Sequence, residues 1–327
     1  SGPVRKDRRL GGLFRFKRNY HMDKPFKTIE EQLGILQSRG VSVEPGDDQI
    51  LSREGYYSVV NGYKDLYIDR AKSAAEGHDV FDEGTSFGDV YRLFCFDRSL
   101  RQTLFQYFAK AEATLKTQCA FNYSEQHQQE SEPYLDITNY NPGEDQKRVR
   151  WLIEDFEVAL GRNPRKKPKP KAYLDHYKNN HDEVPLWVLL RYMTLGQTFK
   201  FYCYQTESMR NSIAKGFAEL YSASYGEKKM ISQKRLRKAY DHIKDFRNIC
   251  AHEERLYCAR VSPGRNVPVV DVLPDLRLVL SREDALQLTT DMVTLLLDIG
   301  NEMKGPYFLK LMTSMGFGNI QELMDVR

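Results

Sequence analysis

Residues 87–123 read FGDVYRLFCFDRSLRQTLFQYFAKAEATLKTQCAFNY, and within them Leu93, Phe96, Leu100, Leu104, Phe108, Ala111 and Leu115 recur at steps of three and four. That is the period of one face of an α-helix, so the stretch predicts a long helix with an inward apolar side. The same period runs through most of the chain. Thr28 with Glu31 three residues on makes a capping-box signature, opening a helix with Ile29, Leu33 and Leu36 inward and Gly40 at its end. Shorter helical patterns cover residues 147–160, closed by Gly161, and 185–204; longer ones cover 234–257 and 282–303. Residues 49–69 place Tyr56, Tyr57, Tyr63 and Tyr67 around Gly62. Residues 266–280 are rich in Val and Leu but broken by Pro268 and Pro274, which predicts a short β-hairpin. There is no internal repeat, Gly-rich phosphate loop or dinucleotide fingerprint. The expected fold is all-α with one minor β excursion: a basic arm over residues 1–23, then a single helical domain over 24–327.

Of the 327 residues, 41% are hydrophobic and 12% aromatic, enough for a packed core, while 29% are charged. The mean hydropathy of −0.61 fits a soluble chain. No stretch approaches the ~18 apolar residues of a membrane span. Ser1-Gly2-Pro3 reads as a tag remnant, and no apolar signal core follows it. The five cysteines (Cys95, Cys119, Cys203, Cys250, Cys258) lie in or beside apolar patterns, without zinc spacing or the framework of a secreted domain. Reduced core thiols in a cytoplasmic protein are therefore expected. No metal site or cofactor is expected; His176 and His181 are at most incidental ligands.

The net charge is only +4, and its distribution says more than its size. Residues 5–18 carry Arg5, Lys6, Arg8, Arg9, Arg15, Lys17 and Arg18 against one acid, Asp7. Residues 162–171 read RNPRKKPKPK. Proline fixes φ and removes backbone donors, so the second segment predicts an extended, solvated loop. Arg165, Lys166, Lys167, Lys169 and Lys171 are its candidate phosphate contacts. A solubilising tail and a charged linker are the plainer readings of the two segments.

The candidate chemical motif is Arg247-Asn248-Ile249-Cys250-Ala251-His252. It joins a permanent cation, an amide and a near-neutral imidazole within about one and a half helical turns. On a helical wheel Leu236, Ala239, Ile243, Phe246 and Cys250 form the buried stripe, and Asn248, His252 and Arg255 group nearly opposite it. Arg247 lies ~140° from His252, so the two meet only through a curled side chain or a distorted helix. Arg237 and His242 share the spacing, and Arg15 and His21 are one residue longer. His242, however, flanks the buried stripe, and the arm offers Arg15 and His21 no scaffold.

Several short blocks carry a family resemblance. They are Lys24-Pro25, Glu31-Gln32, Arg39-Gly40, Gly55-Tyr56-Tyr57 and Asn61-Gly62-Tyr63, then Phe96-Asp97-Arg98 with Leu100-Arg101 and Glu112. Pro185-Leu186-Trp187-Val188, Leu195-Gly196 and RNICAHEERLY over residues 247–257 complete the set. From about Lys24 onward the chain resembles the Abi-like abortive-infection family (AbiD/AbiF type) of bacterial phage-defence proteins. That family is similar to HEPN-domain nucleases, whose Arg-(four to six residues)-His motif cleaves RNA. Here Glu253 stands where many members carry a second histidine.

The resemblance implies a HEPN-like bundle with additional helices, and a toxin-like, metal-independent endoribonuclease with Arg247, Asn248 and His252 as catalytic residues. RNA supplies its own nucleophile, the 2′-hydroxyl, so the protein needs a base, an acid and a cation for the phosphorane. One motif offers one histidine; a homodimer bringing two motif helices together offers two. Arg255 and the basic loop are the expected RNA contacts. A non-catalytic RNA-binding protein, holding a regulatory RNA or acting as an antitoxin-type partner through the same face, stands as the alternative.

Overall fold

A computed structural model describes residues 26–163, 172–181, 183–262, 264 and 266–318. The basic arm lies outside the described residues, and so do Arg165, Lys166, Lys167, Lys169 and Lys171 of the basic loop. The chain is all-α. Helices α1 (Ile29–Ser38), α2 (Asp47–Glu54) and α3 (Arg70–Glu76) precede a 40-residue helix, α4 (Phe87–Gln126). Then follow α5 (Gln146–Ala159), α6 (Ala172–Asn180), α7 (Leu186–Tyr192), α8 (Leu195–Tyr204), α9 (Glu207–Tyr225) and α10 (Gln233–Ala251). A two-residue antiparallel pair, β1 (Arg260–Val261) with β2 (Val267–Pro268), leads into α11 (Leu273–Val279), α12 (Arg282–Glu302) and α13 (Gly305–Met315).

Helix α4 is the axis of the molecule. Ser86 caps it in a reciprocal box with Asp89, and its predicted stripe is buried from Leu93 through Leu115 and on to Tyr123. Against it pack α7, α8, α9, α10, α11 and α12. Polar anchors fix their register. Tyr240 on α10 donates its hydroxyl to the Ala111 carbonyl at 2.8 Å, and Tyr107 on α4 donates to Asp291 on α12 at 2.6 Å. The Tyr240 hydroxyl is thereby satisfied inside the core, where an unpaired one would cost about 1–3 kcal/mol, while the Tyr107 bond closes the half-buried edge of the α4–α12 contact. The Thr28–Glu31 capping box opens α1 as expected, with Leu36 buried and Ile29 and Leu33 packed at the edge of the core.

Three expectations need correction. The pattern over 185–204 is two helices, because Met193 leaves helical geometry and Thr194 starts α8 with its own capping box. The hairpin expected over 266–280 is displaced: only Val267 and Pro268 pair, with Val261 and Arg260. Pro268 has no N–H with which to extend the ladder, and Pro274 sits in the first turn of a helix, where its missing donor does no harm. The remaining Val/Leu run is accordingly a 3-10 turn, Val269–Val272, continuing into α11. Helix α10 ends at Ala251, well before residue 257, for reasons that bear on the site. Among the described residues no helix is long and apolar enough to cross a membrane.

Candidate functional site

Helix α10 starts at Ser232, whose side chain accepts the Arg235 N–H. Its inward face is the predicted one: Leu236, Ala239, Ile243 and Phe246 are fully buried and Cys250 nearly so. Burial pushes the Cys250 thiol up to about 12. His242 lies in the same buried face and bonds Asp275 of α11 through Nδ1 at 2.7 Å; Arg235 holds the other carboxylate oxygen at 2.6 Å. The Arg237/His242 pair is thus a structural element, its histidine facing a carboxylate inside the core.

The C-terminus of α10 is a Schellman turn. Glu254 N–H reaches the Ile249 carbonyl at 3.1 Å, Glu253 N–H reaches that of Cys250 at 3.4 Å, and Glu253 occupies the left-handed region at φ 57°. Glycine is the usual occupant of such a position; an ordinary side chain there costs about 1–2 kcal/mol. The cost is offset by a clamp from α4. The fully buried Asp97 carboxylate accepts Tyr257 N–H at 2.7 Å and Leu256 N–H at 3.1 Å. It also accepts the Tyr63 hydroxyl at 2.7 Å and Arg101 Nη1, while that same Nη1 lies 3.3 Å from the Glu254 carbonyl. Burial raises the Asp97 carboxyl above its usual range, against the pull of these donors.

The motif residues are placed as follows. Asn248 and His252 are exposed, and their side chains have no hydrogen-bond or ionic partner among the described residues. Arg247 is turned toward α4, 3.7 Å from Glu112 and 5.7 Å above the Phe105 ring. Glu112 is shared with Lys116 at 2.7 Å. No contact joins Arg247 to His252 among the described residues, as the wheel's ~140° separation requires. Arg255 does not join the Asn248/His252 face, because it lies beyond the helix end; it donates to the Gly62 carbonyl at 2.8 Å and to Asp65 at 3.2 Å.

Two clefts flank the end of the helix. One, of about 860 Å³, includes Glu253, Glu254 and Arg255 with Tyr57, Arg98 and Arg101. Its four arginines are committed: Arg98 to Glu54, Arg101 to Asp97, Arg255 to Asp65, and Arg260 to the Ala259 and Ser314 carbonyls. The other, of about 690 Å³, is bounded by Arg247 and Glu112 together with Phe105, Phe121, Trp187 and Arg191. No motif or spacing in the sequence marks the aromatic residues of this second cleft as functional. The available signal was that Phe105 and Phe121 fall off the apolar stripe of α4. Asp97 had the opposite signal, a carboxylate three residues before Leu100 and four after Leu93, inside the stripe.

A family model described as Abi-like protein matches residues 49–258, well over half of the chain. No curated protein and no solved structure matches significantly. The matched stretch contains Asp97, Arg101, Glu112, Trp187 and the whole of α10, and ends just past the two amides that Asp97 holds.

Proposed function

The chain belongs to the Abi-like protein family, and from that premise we propose that it is a metal-independent endoribonuclease of abortive-infection phage defence. The observation that carries the reading is the exposed Asn248/His252 pair, without partners among the described residues. It stands at the end of a helix whose other face is core and whose terminus is fixed by Asp97. Polar groups held this way are free to bind substrate and rigid enough to aim at it.

In the proposed reaction two chains pair their motif helices about a two-fold axis. One His252 imidazole takes the proton of the RNA 2′-hydroxyl as that oxygen attacks phosphorus. The imidazolium of the other protonates the 5′-oxygen as the P–O bond breaks. The products are a 2′,3′-cyclic phosphate and a 5′-hydroxyl, and proton exchange with water restores both imidazoles. Asn248 hydrogen-bonds the phosphate or steadies the imidazole. Arg247, released from Glu112, supports the charge on the phosphorane. Glu112 keeps Lys116 when Arg247 leaves, so the exchange strands no carboxylate.

One observation favours a second reading: within one chain Arg247 is engaged by Glu112 and stands apart from His252. That arrangement suits an RNA-binding protein without turnover. Incubating the protein with RNA in EDTA and examining the new ends separates the two. Cyclic phosphate ends that disappear in His252→Ala, and fall about a hundredfold or more in Arg247→Ala, establish cleavage. Salt-sensitive binding with no new ends in any condition selects the second reading.

A further inference from the structure

The cleft beside Arg247 carries more than the motif uses. Phe26, Phe105, Phe121, Trp151 and Trp187 are the exposed Phe and Trp side chains among the described residues, and three of the five converge here. Phe121 is 64% exposed, Trp187 54% and Phe105 39%. Large rings are normally buried, so three of them presented to solvent around one concavity call for an occupant. The floor between Phe105 and Phe121 is made of small side chains of α4, among them Ala109 and Ala113. It runs for about 24 Å at the rise of a helix.

The charge around these rings is one-sided. Lys116, Arg191 and Arg247 line the cleft against the single carboxylate of Glu112, which two of the three cations already share. Arg191 is exposed and has no ionic or hydrogen-bond partner among the described residues. A second copy of this chain docking by the same patch would set these cations against themselves, since a two-fold contact repeats one surface on both sides. An occupant that alternates flat apolar faces with anions fits the alternation of rings and cations.

We infer that this cleft binds single-stranded RNA, with unpaired bases stacked on Trp187, Phe121 and Phe105 and backbone phosphates met by Arg191 and Arg247. The inference rests on the RNA reading of the motif and extends it: RNA enters along α4, and Arg247 is where the stacked strand meets the motif helix. Stacking is tolerant of sequence because every base has a π-face. A paired strand has its faces occupied, so the cleft selects unpaired RNA over duplex.

The chain contains two tryptophans, and Trp151 lies outside this cleft, so Trp151→Phe makes Trp187 the sole indole reporter. Titrating that variant with an oligoadenylate should quench Trp187 fluorescence, whereas a duplex of equal length should bind more weakly and quench little. Irradiating wild-type protein bound to 4-thiouridine-substituted oligonucleotide should crosslink peptides carrying Phe121 or Trp187. Trp187→Ala and Phe121→Ala should each lower single-strand affinity roughly tenfold. His252→Ala should retain both quenching and crosslinks.

Full RNA affinity with Trp187 unquenched and no crosslink on either peptide overturns the stacking site while leaving the RNA reading intact. Absence of RNA binding altogether overturns both. Quenching by an acidic peptide but not by RNA, or a change of oligomeric mass in Trp187→Ala with unchanged RNA affinity, marks the cleft as a protein-docking surface and also overturns the proposal.

Discussion

The carboxylate of Asp97 accepts the backbone N–H of Tyr257 at 2.7 Å, from 160 positions earlier in the chain. The turn that follows the motif helix is therefore set by a residue in the first half of α4. Where α10 stops, and which way the chain leaves His252, depends on one buried side chain.

Asp97→Ala should lower unfolding free energy by about 3–5 kcal/mol, because it leaves Arg101 as an uncompensated buried cation and frees two amides and a phenol. Urea unfolding measures the loss. Hydrogen exchange at Leu256 and Tyr257 should accelerate more than at the centre of α10.

At Glu253 the sign reverses. Glu253→Gly removes the side chain that disfavours the left-handed conformation and should stabilise the protein by up to about 1 kcal/mol, the greater freedom of glycine in the unfolded chain taking back part of the gain. Glu253→Val should destabilise by at least as much, since a β-branched residue tolerates positive φ poorly. A Val variant as stable as the Gly variant in urea would show that the turn is not held in this geometry.

The two motif-spaced histidines should separate cleanly. His242→Ala leaves Asp275 with Arg235 alone and opens space in the core, costing about 2–4 kcal/mol. His252→Ala, at an exposed position, should change stability by less than about 0.5 kcal/mol while removing cleavage. Thermal melts and the end-group assay on the same two preparations read both effects.

Glu112→Gln should raise RNA affinity several-fold and steepen its salt dependence, because it removes the carboxylate that occupies Lys116 and Arg247. Fold stability should fall by about 1 kcal/mol or less. Filter binding at a series of salt concentrations is the measurement.

Thiol labelling reports on the core around the motif. Burial pushes Cys250 up to about 12 and Cys203 up to about 11, so at pH 8 their thiolate fractions are on the order of 10⁻⁴ and 10⁻³. Cys119 is raised further by complete burial. Iodoacetamide at pH 8 should modify the half-buried Cys95 first and leave these three intact until denaturant is added. Mass spectrometry of the digest reads the order.

Much of the frame is written in periodicity. The stripe of α4, the Thr28 cap, the inward face of α10 and the burial of His242 all follow from side-chain spacing alone. Helix α9 is less visible: Met209, Ile213, Phe217 and Tyr221 repeat every fourth residue, but Ser, Ala and Lys between them dilute the contrast. The short helices α3, α6 and α13 likewise carry too few turns for a periodic stripe to stand out. The end of α10 had no local signal, because the residue in the left-handed position is Glu253 rather than glycine and the force holding it there comes from Asp97. A wheel drawn past Ala251 therefore grouped Arg255 with His252, whereas the chain carries Arg255 away to Gly62 and Asp65. Within the candidate site Asn248 and His252 face solvent as the spacing required, while the pairing of Arg247 with Glu112 is a tertiary fact. Glu112 stood out only through the family resemblance.

Helix α4 acts as a ruler for this end of the molecule. About four turns of one continuous helix, roughly 22 Å at its rise, separate the carboxylate that fixes the turn after α10 from the carboxylate that engages Arg247, and Phe105 lies between them in sequence. Inserting or deleting a single residue in that interval would rotate everything beyond it by about 100°. With regular helix throughout, either Glu112 would swing away from Arg247 or Asp97 would lose the two amides; keeping both would take a local π-bulge between them. The spacing from Asp97 to Glu112 is thus a dimension of the protein shared by the turn after α10 and the Arg247 contact.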